Sequence, residues 1–321
     1  MKSLSIAFIF PWPREKEAVR HPEHIASGGC WSLIHALRLS GHRVFPVNLY
    51  DEQNQINGRF GEEQYRRGLN SIRFDAAVVF DTGQAKVDWK QIATEEHQDF
   101  PTIYHAGDDP MRHDANVDAL GAGSFDGILC AQLPFKEKYK DKFKVPVEWM
   151  PYHHDGLLHY PVAGNLKQFD IVHCGKVYGL REPLLKAFSG AGLKVHCADA
   201  WGHAYRASLT SAKVGWHHAW CGEVGYRHFE LPAMGQLLIC DELEAEYGLG
   251  ELYQSDAIVT YSGKDDKEKI ESAVGKVKHY AENVSERNAI ANRGRDISLT
   301  EHGPLRRAEQ LANFIQNNFG G

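Results

Sequence analysis

Residues Phe169–Phe188 read FDIVHCGKVYGLREPLLKAF. An apolar run rich in strand formers, Phe169–Cys174, passes through a loop holding Gly175 and Gly179 and enters a helical stretch, Glu182–Ala191. A strand that leaves through glycines into a helix opens a βα unit. Working forward, Leu193–Cys197, Val214–His217, Gln236–Cys240 and Ala257–Tyr261 are further strands. Helical patterns cover Arg227–Met234, Asp265–Tyr280, Ser285–Arg295 and Leu305–Asn317.

Working backward, the same alternation fills the first half. Strands are expected at Leu4–Phe10, Arg43–Leu49, Ala76–Phe80, Thr102–His105, Gly127–Cys130 and Val147–Met150. Helices are expected at Gly28–Leu39, Asp88–Glu96, Met111–Leu120 and Phe135–Asp141. Between the halves, Tyr152–Gln168 loses periodicity and holds Gly156, Pro161, Gly164 and Asn165, which reads as a linker. Strands alternating with helices build a parallel sheet covered on both faces. The expectation is an α/β chain of two Rossmann-like, doubly wound domains facing a cleft. Residues 1–160 form the first, 165–303 the second, and 304–321 a terminal helix. Sheets of this class bind ligands beyond the carboxyl ends of their strands.

Composition narrows the class. The chain has 321 residues, 43% of them apolar and 24% charged, which fits two globular domains. The formal charge of -6 carries no general basic signal for nucleic acid or an anionic membrane surface. None of the six cysteines stands in a CxxC pair, so they read as reduced, buried thiols of a cytoplasmic protein. The opening apolar run is short, lacks a small-residue cleavage site and reads as a first strand rather than a signal peptide. No run approaches the roughly 18 apolar residues of a membrane span.

Five stretches could carry chemistry. Gly28 and Gly29 stand where a helix begins, so backbone N–H groups there can approach a phosphate or sugar; a tight turn explains them equally well. In the loop His105–Pro110, Asp108 is the better functional candidate, because Asp109 followed by Pro110 suits a helix N-terminus. His153, His154 and Asp155 follow the last strand of the first half. Adjacent ligands on an extended segment point apart, so this is a polar loop rather than a metal site. Gly175, Lys176 and Arg181 follow the first strand of the second half, where a phosphate would sit. The strongest stretch is Tyr226–Gly235, where Glu230 can accept two hydrogen bonds from a ribose diol and Arg227 can fork onto a diphosphate. A surface helix with an Arg–Glu pair is the bland reading of the same residues. His217 and His218 are assigned no metal.

With these residues in view, the chain resembles the GT-B glycosyltransferases, and its second half is similar to the family of the spore-maturation protein CgeB. The likeness is carried by Gly28-Gly29 through Gly41-His42-Arg43-Val44, by Asp108-Asp109-Pro110, and by Gly175 through Arg181. Arg227, Phe229 and Glu230 followed by Ala233-Met234-Gly235 match an Arg-x-Phe-Glu, Ala-x-Gly core, and Val284–Gly294 and Glu301–Arg306 look like closing helices. The resemblance implies that Glu230 binds the donor ribose and that Arg227 and the Gly175 loop face the diphosphate. It also implies that the last helix crosses back onto the first domain, and that no metal is essential. One departure stands out: related enzymes carry two Glu separated by seven residues, whereas Glu223 and Glu230 have six between them.

The expected function is transfer of a sugar from a UDP- or GDP-sugar to an acceptor hydroxyl, with Asp108 or His154 as acceptor base. Gly28, Gly29, Gly175, Lys176, Arg181, Tyr226, Arg227 and Glu230 are the expected nucleotide-sugar contacts. The acceptor stays open between protein, glycan, small molecule and a hydroxymethylated DNA base, the last disfavoured by the net negative charge. The alternatives are a non-catalytic two-lobed binding protein and a nucleotide-sugar epimerase of GT-B architecture.

Overall fold

The computed structural model describes residues 2–10, 29–48, 73–80, 100–162, 164 and 166–320. The chain divides into two compact units, Met1–Pro151 with Pro304–Gly321, and Tyr152–Gly303. The segment 152–160, read from sequence as the end of the first domain and the start of a linker, belongs to the second unit. The expected helix Asp88–Glu96 and the residues Ser27 and Gly28 lie outside the described residues.

The first unit is built on a parallel sheet of order β2-β1-β3-β4-β5-β6. Its strands are β1 Ser5–Phe10, β2 Arg43–Asn48, β3 Ala76–Phe80, β4 Thr102–Ala106, β5 Gly127–Cys130 and β6 Val147–Trp149. Strand β1 is buried along its whole length, and its side chains alternate between two cores as the two-residue period requires. Ile6, Phe8 and Phe10 pack with Leu33 and Leu37 of α1 (Gly29–Leu39). Ala7 and Ile9 share the opposite core with Tyr104, Phe135 and Tyr139. Helix α2 is His113–Ala122 and α3 is Phe135–Phe143.

The sheet's first core also holds Ala308, Leu311 and Ile315 of the terminal helix, Pro304–Phe319. A Cβ on Gly127 would lie 3.0 Å from the Phe319 ring, so glycine is the residue that lets this helix sit against β5. Arg307 Nε donates to Pro151 O at 2.7 Å in the same unit.

The second unit carries a parallel sheet of order β11-β10-β9-β7-β8. Its strands are β7 Phe169–Cys174, β8 Val195–Ala198, β9 Ala212–His217, β10 Leu238–Asp241 and β11 Val259–Tyr261. From β7 the chain goes first to β8 on one side, then to β9 on the other. The strand order therefore reverses between β7 and β9, which is where open sheets of this class place a ligand, beyond the carboxyl ends of the strands. Helices α4 Arg181–Gly190, α5 Gly202–Thr210, α6 Arg227–Ala233, α7 Leu249–Leu252, α8 Asp266–Glu282 and α9 Val284–Glu301 complete the unit, so the terminal helix is α10. Asp265 caps α8 by accepting from Glu268 N at 2.8 Å, and Glu268 Oε2 accepts in return from Lys264 N at 3.0 Å.

Helix α5 was not anticipated. Its N-cap is Trp201 with no side-chain cap, and it buries Gly202, Leu209 and Thr210 only. Neither a capping residue nor an apolar stripe marks it in the sequence.

Candidate active site

Strand β7 ends at Cys174 and the chain turns at Gly175, whose φ is +104°. L side chains avoid that region, so glycine suits the turn. The turn sits over the guanidinium of Arg227. Arg227 Nη2 donates to Cys174 O at 2.5 Å, and a Cβ on Gly175 would lie 3.7 Å from the same nitrogen.

Arg227 opens α6 and Glu230 follows one turn later, so the two side chains share a face. Arg227 Nε is 3.4 Å from Glu230 Oε2. The phenol of Tyr205, on α5, donates to the same oxygen at 2.5 Å, and Arg227 Cζ lies 4.6 Å over the Tyr205 ring. The other carboxylate oxygen, Oε1, is 3.6 Å from His159 Nε2. That distance is too long for a hydrogen bond. Burial holds His159 below the ordinary imidazole range, with Arg227 and Arg206 adding to it and Glu230 opposing. His159 is therefore neutral near pH 7, and the contact is no ion pair.

The remaining charges are consistent with this picture. Burial opposes the charge on Arg227, yet Tyr205 and Glu230 outweigh it and raise its pKa. Burial and Glu230 push the Tyr205 phenol well up, so it stays a donor. Glu230 is 13% exposed and keeps acceptor capacity on Oε1, since an ionised carboxylate offers about four lone-pair sites.

The loops flanking this cluster are tied together. Arg181 Nε donates to His218 O at 2.8 Å and its Nη1 to Lys176 O at 3.2 Å, which staples the loop after β7 to the loop after β9. Two of its five N–H donors are thus committed to carbonyls, which leaves the others for an anion. Lys176 itself is exposed. Asp241, at the end of β10, accepts from Ala219 N at 2.8 Å and lies 3.3 Å from His218 Nδ1. Glu223 Oε2 accepts from Cys221 N at 2.8 Å within the loop after β9. Tyr226 is exposed and stacks on Tyr152 with centroids 4.0 Å apart.

Gly175, Arg227 and Glu230 are therefore brought together, with Lys176 and Arg181 on the adjoining loop. Tyr205, His159 and the Cys174 carbonyl complete the cluster and were not anticipated. His154 is 3% exposed, with Nδ1 3.4 Å from Ser298 Oγ, which in turn donates to Phe229 O at 3.0 Å.

In the first unit, Gly29 is the first residue of α1, and Gly28 is outside the described residues. Asp108 is half-buried with φ +56°. Asp109 is not the cap of α2, which starts at His113 with Arg112 as N-cap. Its side chain is fully buried and accepts from Tyr139 Oη at 3.0 Å, with His113 Nδ1 3.2 Å away. The nearby hydroxyl, amide and imidazole of α2 and α3 draw it inward. Among the described residues, no group of three His, Cys, Asp or Glu side chains is placed to hold a metal ion. No helix among them is long and apolar enough to cross a membrane.

Residues 173–313, which contain this cluster apart from His159, match a family model described as glycosyl transferase-like. A comparison with curated protein sequences gave no match. Among solved structures, sucrose-phosphate synthase from Thermosynechococcus elongatus is similar with a TM-score of 0.62 at 10% identity, covering 98% of this chain and 99% of that one. HepE of Anabaena, solved with UDP and glucose, gives 0.63 at 10% identity, covering 98% of this chain and 100% of that one. AviGT4, a glycosyltransferase involved in avilamycin A biosynthesis, gives 0.61 at 14% identity, covering 99% and 98%. At these identities the likeness is one of fold. The chain has the GT-B fold, with two Rossmann-like domains, and its second half is glycosyltransferase-like in sequence.

Proposed function

We propose that this protein is a glycosyltransferase that uses a nucleoside-diphosphate sugar, UDP- or GDP-linked, and moves the sugar to an acceptor hydroxyl. The observation that carries the reading is the Gly175–Arg227–Glu230 cluster at the strand-order reversal of a GT-B fold. Glu230 Oε1 accepts from the ribose diol, while Tyr205 and Arg227 hold the other oxygen and fix the carboxylate's orientation. The diphosphate lies against Arg227, Lys176 and the backbone of the Gly175 turn. The HepE structure's UDP supports a nucleotide donor, and the Arg-x-Phe-Glu core supports the narrower likeness to the CgeB group.

In the reaction, the bond between the sugar's anomeric carbon and the diphosphate oxygen breaks and the acceptor oxygen takes its place. The acceptor's proton passes to a base, and the nucleoside diphosphate leaves with its charge stabilised by Arg227 and Lys176. Of the two anticipated bases, Asp108, half-buried in the loop after β4, is the more accessible; His154 is almost wholly buried. The binding-protein and epimerase readings have less support, because the family model matched over 173–313 is glycosyl transferase-like.

Isothermal titration of the full chain with UDP, UDP-glucose, GDP and GDP-mannose tests the reading. Binding of one nucleotide series at micromolar Kd is expected. Failure of all four to bind at millimolar concentration would contradict it.

A further inference from the structure

Trp220 lies in the loop after β9 and is 43% exposed. Tyr178, in the loop after β7, stacks beneath it, with ring centroids 4.6 Å apart and planes 25° from parallel. Gly179, at φ +50°, lies beside the ring: a Cβ there would be in ordinary contact with the indole Cδ1, at 3.6 Å. The indole N–H has no hydrogen-bond partner among the described residues. Arg181 joins both loops through His218 O and Lys176 O, so the ring pair is held before any ligand arrives. A rigid aromatic face with a spare donor at a ligand-binding sheet edge suits a ring with an apolar C–H face and hydroxyls at its rim.

The order of contacts says which ring that is. Glu230 touches Arg227, Arg227 touches the Cys174–Gly175 turn, and the turn leads through Lys176 to Tyr178 and, by way of Arg181, to the Trp220 loop. A nucleotide sugar is ordered likewise: ribose, diphosphate, sugar. With the ribose at Glu230 and the diphosphate at Gly175, the loop that runs on from Gly175 leads to the Tyr178–Trp220 pair. We propose that the exposed face of Trp220, backed by Tyr178, carries the sugar being transferred and that the indole N–H donates to one of its hydroxyls. This rests on the donor site proposed above and adds a residue that discriminates the sugar.

The test is titration calorimetry on the full chain with UDP, UDP-glucose, GDP and GDP-mannose, for wild type, Trp220→Ala and Trp220→Phe. For whichever series binds wild type, Trp220→Ala should weaken the sugar nucleotide about ten-fold and leave the free diphosphate within about two-fold, with Trp220→Phe recovering most of the loss. If diphosphate and sugar nucleotide weaken together, Trp220 only shapes the phosphate loop and the proposal is wrong. It is equally wrong if neither weakens. If wild type binds none of the four, the donor site itself fails, an outcome distinct from both.

Discussion

The phenol of Tyr205 donates to Glu230 Oε2 at 2.5 Å, joining α5 to α6 through a carboxylate that is 13% exposed. Arg227 shares that oxygen, so the carboxylate's orientation is set and Oε1, 3.6 Å from His159 Nε2, keeps its acceptor capacity. On the proposed reading, the ribose diol meets a carboxylate that needs no rearrangement.

Removing the phenol hydroxyl isolates this effect. Tyr205→Phe keeps the ring beneath Arg227 and deletes one hydrogen bond to a charged group, a loss of about 1.5–3 kcal/mol at most. We expect a lower midpoint in urea and weaker nucleoside-diphosphate binding. Unchanged affinity would show that Glu230 is oriented without Tyr205.

Gly175→Ala asks whether the turn matters as backbone. The added methyl has 3.7 Å to Arg227 Nη2, so there is space, but φ of +104° is unfavourable for alanine. A destabilisation of about 1–2 kcal/mol is expected, with weaker diphosphate binding as the turn shifts away from Arg227. Calorimetric melting and titration of the same variant measure the two effects.

Acid should destabilise the fold through its buried histidines. Burial, then Arg227 and Arg181, lower His173 from 6.5 to about 4. His159 is lowered too, mainly by burial. A group with a depressed folded pKa takes up its proton more readily when unfolded. Stability is therefore complete above about pH 6.5 and falls as the pH drops toward 4, each such imidazole adding a slope of up to about 1.4 kcal/mol per pH unit. Urea midpoints between pH 7 and pH 4 measure the slope. His173→Asn should flatten it, and an unchanged slope would remove His173 from the account.

Asp108→Asn separates base chemistry from donor binding. The variant should lower kcat about 100-fold or more while the donor's KM changes little, as expected for a missing proton acceptor. Steady-state kinetics with an identified acceptor decides this, and a full kcat would move the role to another residue.

Much of the fold was legible because the pattern is strong where both faces of a strand are covered. Ser5–Phe10 after its first residue and Ala76–Phe80 throughout are apolar, and Phe169–Cys174 is so apart from Asp170 and His173, as central parallel strands should be. Gly175, Arg227 and Glu230 were visible as residue types suited to a diphosphate and a diol. Tyr205 was not, because WGHAYRASLT carries neither a cap nor an apolar stripe, so the helix presenting it went unseen. His159 sits in an irregular segment, 71 positions from Glu230 in the chain, and no local pattern joins the two. Arg181 was legible as a cation near the expected phosphate, whereas its carbonyl partners at His218 and Lys176 exist only in the folded loops. Asp109 looked like a cap because Asp-Pro suits a helix start, while the helix begins at His113.

The central claim is that Arg227 and Glu230 hold a nucleoside diphosphate. Its most direct test is thermal stabilisation by UDP and GDP, compared between wild type and Glu230→Ala. A ligand at about 100 times its Kd adds about 2.7 kcal/mol of stability. The account predicts that one nucleotide raises the wild-type melting temperature and that Glu230→Ala loses most of that rise. An equal rise in both proteins would contradict it, and so would no rise in the wild type.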